Sequence, residues 1–356
     1  MSRLVAAARR PSLLWLLVFV PISIVADLTG HQTTTFVTAA LAVVPLAGLI
    51  GEATSEIAVR LGPRAGGLLN ATFGNLTELI VAVFLIESGD VAIVKASLIG
   101  SIVGNLLFVL GLSFVAGGIR QKEMTFSAQA ASVHSSSMVL AVAALVVPAI
   151  LVLSTPTVGQ SEKEVVSVVV AGVLIVLYLA ALAFMQVTHA HLFRTPEQDE
   201  APSWPMWLAV AVLAGAAALV AVESEMLVGA LHPAIAALHV PAVFVGLILI
   251  PIIGNAAEHA SAVLFAVKRR VDVTLEIAVG SSTQVAMLIA PLLVFISLVL
   301  AKPMDFVFTP FEVAIVGVAT VIVVVISLDG RSNWLEGLQL VGAYAVIGIS
   351  AYFVSG

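Results

Sequence analysis

Apolar runs of about 20 residues, the length that carries a helix across a bilayer, recur along this chain with short polar breaks between them. Marking them predicts eleven spans, near 12–29, 35–59, 66–87, 91–118, 127–153, 163–188, 205–228, 241–267, 271–300, 311–328 and 333–354. Arg3, Arg9 and Arg10 before the run Leu13 to Val25 imitate a signal peptide. The following Ala26-Asp27-Leu28-Thr29 has no A-x-A cleavage pattern, so the run is read as an uncleaved first span. The expectation is an all-α polytopic membrane protein.

Composition agrees: 61% of the 356 residues are hydrophobic, 10% are charged, and the mean hydropathy is +1.16, far from a soluble domain. A net charge of -6 without a basic patch excludes nucleic acid as a partner. The absence of cysteine excludes disulfides, thiolate metal sites and cysteine nucleophiles. The basic residues also orient the spans. Twelve (Arg3, Arg9, Arg10, Arg60, Arg64, Arg120, Lys122, Arg194, Lys268, Arg269, Arg270 and Arg331) fall on one side of an eleven-span layout, and only Lys95, Lys163 and Lys302 on the other. Positive charge is retained inside, which places the N-terminus in the cytoplasm and the C-terminus outside.

Two polar stretches stand where hydrocarbon is expected: Gly74-Asn75-Leu76-Thr77-Glu78 and Gly254-Asn255-Ala256-Ala257-Glu258. A shift of 180 residues superposes them and also Gly100 on Gly280 and Ser101 on Ser281. The copies begin five crossings apart, and an odd offset inverts the second. The domains are thus the N-terminus and first span (1–34), a five-helix repeat (35–190, spans two to six), a short acidic cytoplasmic linker (191–203, with Glu197, Asp199 and Glu200), and an inverted five-helix repeat (204–356, spans seven to eleven). Inverted repeats with a midplane site are the architecture of secondary transporters.

Glu78 and Glu258 have no lysine or arginine nearby in sequence, and a paired set of intramembrane acids marks an ion path. Protons and a divalent cation would compete for their oxygens. Asn75 and Asn255, three residues before them, share their helical faces, and Ser101, Ser281, Asn105 and Gln284 add neutral oxygens. An all-oxygen set with two carboxylates suits a hard cation such as calcium rather than zinc or copper. Gly74, Gly254 and Pro251 are expected to interrupt the spans there. A second tier, Glu52 and Glu56 in span two, Glu223 and Glu225 in span seven, and His259, is assigned to proton transfer or to lining a vestibule. Glu276 is placed at the cytoplasmic entrance and His134 on a polar face of span five. An intramembrane enzyme would need a nucleophile with its base or a motif such as H-E-x-x-H; His189-Ala190-His191 lacks the glutamate, so no enzyme is expected.

The stretches Gly67-Leu68-Leu69-Asn70-Ala71-Thr72-Phe73-Gly74-Asn75 with Glu78-Leu79-Ile80, then Pro251-Ile252-Ile253-Gly254-Asn255-Ala256-Ala257-Glu258-His259, and Gly280-Ser281-Ser282-Thr283-Gln284 resemble the cation/proton exchanger (CAX) family of the calcium/cation antiporter superfamily. The resemblance implies that Glu78 and Glu258 are the calcium carboxylates, assisted by Asn75, Asn255, Ser101, Ser281 and Gln284. It implies exchange of cytoplasmic calcium for external protons across the cell inner (plasma) membrane, without ATP or a cofactor, and a proton role for acids of spans two and seven, Glu225 among them. Transported cations, protons and the lipid bilayer are then the partners, and a homo-oligomer is compatible with the sequence. The departures are Ala53-Thr54-Ser55-Glu56 with Glu52 ahead, where the family often reads Ala-Thr-Glu, and a linker reduced to three acids. A sodium- or potassium-coupled exchanger on the same scaffold is the alternative, and a passive cation channel the third reading.

Overall fold

The computed structural model describes residues 13–155, 157–190 and 202–354. The expectations that fall on Arg3, Arg9, Arg10, His191, Arg194, Glu197, Asp199 and Glu200 lie outside the described residues. The helices in chain order are α1 (Leu13–Leu28), α2 (Gln32–Gly62), α3 (63–73), α4 (Leu76–Ser88), α5 (Val91–Gly118), α6 (Ala128–Ser154), α7 (Gln160–Thr188), α8 (Met206–Gly229), α9 (Leu231–Leu238), α10 (Ala242–Gly254), α11 (Ala256–Val267), α12 (Val271–Val299), α13 (Pro310–Ser327) and α14 (Trp334–Phe353). Eight of them, α2, α5, α6, α7, α8, α12, α13 and α14, are long and apolar enough to cross a membrane alone. The other three predicted spans are built from shorter pieces: α1, the pair α3 and α4, and the pair α10 and α11. The eleven-span layout is therefore not given by helix length alone.

The two broken pairs are interrupted at the polar stretches, but not at the glycines. Gly74 keeps helical angles (φ −57, ψ −42), and the chain leaves the helix at Asn75 (φ −97, ψ 19) and Asn255 (φ −107, ψ 8). Both sit near the bridge region of backbone space, where asparagine is at home and a β-branched residue is not. Pro251 does not break α10 either. The turn before it, Val245–Leu249, is π-helical, a widening that accommodates a ring without an N–H donor. Gly62 (φ 78, ψ 175) separates α2 from α3 by a backbone conformation that glycine alone adopts freely. Helix α9, bent 116° from α10, was not anticipated, because it is too short to register as a span.

Contacts among the connections sort the charges onto two ends of the bundle. At one end Met124–Thr125 pairs antiparallel with Arg331–Ser332, Gln121 donates to the Ala266 carbonyl at 3.3 Å, and the Ser127 N–H donates to Asp272 at 2.7 Å. At the other end Lys95 pairs with Asp305, Lys302 donates to the Glu87 carbonyl at 2.7 Å, and His232 meets Asp90 at 2.8 Å. Arg120, Lys122, Lys268, Arg269, Arg270 and Arg331 thus belong to one end, and Lys95 and Lys302 to the opposite one.

The repeats share a sequence pattern but not a packing. Helix α10 lies tightly on the first half of α5: a Cβ at Gly100 would collide with the Leu247 carbonyl and stand 2.7 Å from Pro251 Cγ. The equivalent pairing, α3 against the first half of α12, has no comparable packing among the described residues. Instead Gly67 of α3 leans on the Gln186 side chain of α7, and Gly280 has only ordinary contacts at 3.8 Å. The bundle is packed tightly beside Gly100 and more loosely beside Gly280, toward the end that carries the larger basic set. We predict that Gly100→Ala lowers stability by about 1–3 kcal/mol through overpacking, whereas Gly280→Ala costs less than about 1 kcal/mol. Thermal unfolding of the purified variants measures both.

Candidate cation site

Breaking the two spans at Asn75 and Asn255 starts new helices in the middle of the protein. Glu78 lies in the first turn of α4 and Glu258 in the first turn of α11. The unpaired N–H groups and dipole of a helix N-terminus favour negative charge there, so the breaks that sequence places beside the acids help them carry charge away from bulk water.

The remaining predicted residues close around these two carboxylates. Ser101 of α5 donates to Glu78 Oε1, and Asn255 donates to the same oxygen at 2.6 Å and to Ser101 Oγ at 3.4 Å. On the other side Ser281 of α12 donates to Glu258 Oε2 at 3.2 Å and to Asn75 Oδ1 at 3.4 Å. Asn75 donates to Gln284 Oε1 at 2.8 Å, and Asn105 donates to Ser281 Oγ at 3.4 Å. Each glutamate is therefore bonded by the serine 23 positions after it; Glu78 is also bonded by Asn255 of the opposite half, and Ser281 links Glu258 to Asn75. Asn75, Asn255, Ser101, Ser281 and Asn105 are all buried. The two carboxylates are close enough to interact electrostatically, and no lysine or arginine bonds to either among the described residues.

Glu78 Oε2 is buried without a hydrogen-bond partner. Glu78 lines a cavity together with Ser97, Ser101, Leu98, Leu227, Ile253 and Gly254. A carboxylate oxygen left in that condition is costly unless a proton or a cation reaches it. Asn255 presents its N–H group to Glu78, so its ligation of a cation would require the amide to rotate and turn its oxygen inward, a change an asparagine makes without moving its backbone.

The lower-tier residues are not gathered here. Glu56 accepts from the backbone N–H groups of Ser203, at 2.9 Å, and Trp204, at 3.1 Å, and also from Ser203 Oγ, while Arg60 lies 3.9 Å away. It ties the segment before α8 to α2. Glu52 and Glu225 are exposed, whereas Glu223 is wholly buried and accepts from Ser23 of α1 at 2.9 Å. His259 packs edge-on to Phe108, with ring centroids 6.2 Å apart. Glu276 and His134, given no ligand role from sequence, meet at Gly280 one residue before Ser281. The four-residue spacing of Glu276 and Gly280 was the available signal. We predict that Asn255→Ala, which strips Glu78 of its cross-half donor, weakens calcium binding about tenfold, equivalent to about 1.4 kcal/mol, in calorimetry on the purified protein.

The sodium/calcium exchanger protein family matches residues 31–187 and 208–353 separately. The chain is 45% identical to the Ca(2+)/H(+) antiporter of Synechocystis over 95% of its own length and 96% of that protein. It is 38% identical to the Ca(2+)/H(+) antiporter ChaA of Bacillus subtilis, covering 94% and 97% of the two chains. The solved structure of native YfkE superposes with a TM-score of 0.85 at 35% identity, over 96% of this chain and 100% of that one. The H+/Ca2+ exchanger CAX shares the fold, with a TM-score of 0.75 over 96% of this chain and 92% of that one, at 16% identity.

Proposed function

The chain belongs to the sodium/calcium exchanger protein family, and from that premise we propose that it is a calcium/proton antiporter whose shared site is formed by Glu78 and Glu258. The observation that carries the reading is the meeting of two glutamates from opposite halves, bonded to serines and amides but to no basic side chain among the described residues. Their charge must be neutralised by something mobile when the site is away from bulk water. One calcium ion or two protons do this equally well for two carboxylates, so either cargo permits the site to cross and neither can be carried together with the other.

Asn75, Asn255, Ser101, Ser281, Gln284 and Asn105 would complete the oxygen shell, consistent with the six to eight oxygens that calcium takes. The orientation read from the basic residues, N-terminus in the cytoplasm, makes the open side of the bundle the cytoplasmic one, so calcium would be taken up from within and exchanged for external protons across the cell membrane. Names of relatives at 45% and 38% identity over nearly their whole length support protons rather than sodium as the coupling ion.

Inverted vesicles with an imposed pH gradient, with and without sodium, test this directly. Calcium uptake should follow the pH gradient, ignore sodium, and fall at least about 100-fold in Glu78→Gln and in Glu258→Gln, since each removes a charge the divalent cation needs. Uptake that follows sodium, or survives both substitutions, overturns the reading. Calcium binding at equilibrium should also weaken as pH falls: the deprotonated site binds the cation, and each proton bound occupies an oxygen that calcium requires.

A further inference from the structure

The repeats equip the two approaches to the site differently. A shift of 180 residues places Ala96 where the second half has Glu276. Ala96 is buried, and a Cβ at Gly246 of α10 would meet its methyl at 2.8 Å, so small apolar groups pack tightly at this position. Glu276 is exposed although it lies within the apolar helix α12. It does not point at lipid: its Cγ stands 3.8 Å from the position of a Cβ on buried Gly280, the same distance as His134 Cε1 of α6. Glu276 therefore shares the face of α12 that carries Gly280, one residue before Ser281, which bonds Glu258.

The helix is π-helical from Glu276 to Gly280. This widened turn, of a type frequent at functional sites, begins at the carboxylate and ends beside the site. Helix α3, which would cover it if the second half packed as the first does, is displaced onto Gln186.

We propose that Glu276 is the capture residue of the open approach, a carboxylate that concentrates divalent cations from that side and passes them to Glu258, with no equivalent on the opposite side. The proposal rests on the antiport reading. An exporter must collect its cargo where that cargo is scarce and release it where it is plentiful. A fixed negative charge on the collecting side raises the local cation concentration and the association rate; one on the releasing side would oppose departure. Glu276 beside the open approach and Ala96 beside the closed one meet both requirements.

The test uses full-length protein in vesicles of defined orientation, with calcium itself as the probe. Initial exchange rates are measured for the wild type, Glu276→Gln and Glu276→Asp against calcium supplied from each face. For calcium on the face bearing Lys268 to Arg270, Glu276→Gln should raise KM about threefold to tenfold with kcat within about twofold, and Glu276→Asp should restore most of the loss. The increase should shrink as potassium chloride is raised, because salt screens an attraction acting through water. For calcium on the opposite face KM should not change. An unchanged KM on the first face, an equal rise on both faces, or a fall in kcat at constant KM overturns the proposal. A wild type that shows no proton-driven calcium exchange overturns the antiport reading instead.

Discussion

The structure depends on the cost of holding two carboxylates inside an apolar bundle. Removed from water, each needs compensation that no lysine or arginine among the described residues supplies, and the surrounding architecture supplies it by other means. Two spans break at asparagines so that Glu78 and Glu258 fall in the first turns of new helices. The serines that bond them come from neighbouring helices, and Asn255 crosses from the second half to reach Glu78. Since a donor and its acceptor come from different halves, neither half completes the site alone.

That dependence between halves gives the unequal packing its meaning. The same sequence pattern occurs twice, yet Gly100 is pressed against the Leu247 carbonyl while Gly280 has space around it. The position equivalent to Leu247 is Gly67, which rests against Gln186 instead. An exchange of the two arrangements, α3 closing on Gly280 as α10 withdraws from Gly100, would trade one close approach for a similar one. A ligand moves such an equilibrium only by its differential affinity for the two arrangements, which a cargo held between the halves is placed to supply.

Much of this was legible in the sequence for physical reasons. Apolar runs locate spans because the bilayer leaves few alternatives, and the acid pair announces a site because asparagine and glutamate are rare there. The fine geometry was less legible. Glycine was expected to break the helices, but it stays helical at Gly74, and Asn75 takes the bridge conformation. Glu223 and Glu225 look alike in a helix that is apolar on every face, so the sequence offers no phase to say which points inward; the structure buries Glu223 against Ser23 and turns Glu225 out. For Glu56, an acid near a span end, the sequence leaves proton transfer and the lining of a vestibule both open. Its hydrogen bonds to Ser203 and Trp204 depend on a contact 147 and 148 residues away that no local pattern encodes.

Coupling then follows from electrostatics without a dedicated gate. A site of two carboxylates with neither cargo bound is charged, and moving it past the apolar contacts around Ala96 and Gly246 would place that charge in a low-dielectric surround at a cost of several kcal/mol. With calcium or with protons bound, the site is neutral and that cost disappears. Ser101, Asn255 and Ser281 fit both conditions, since a hydroxyl or a carboxamide can donate to a carboxylate or offer oxygen to a cation. A lysine in place of either asparagine would neutralise one of the two carboxylates permanently, and the site would no longer need the full charge of a divalent cation or two protons. On the antiport reading proposed above, the absence of fixed positive charge around Glu78 and Glu258 among the described residues would make movement of the site conditional on exchange.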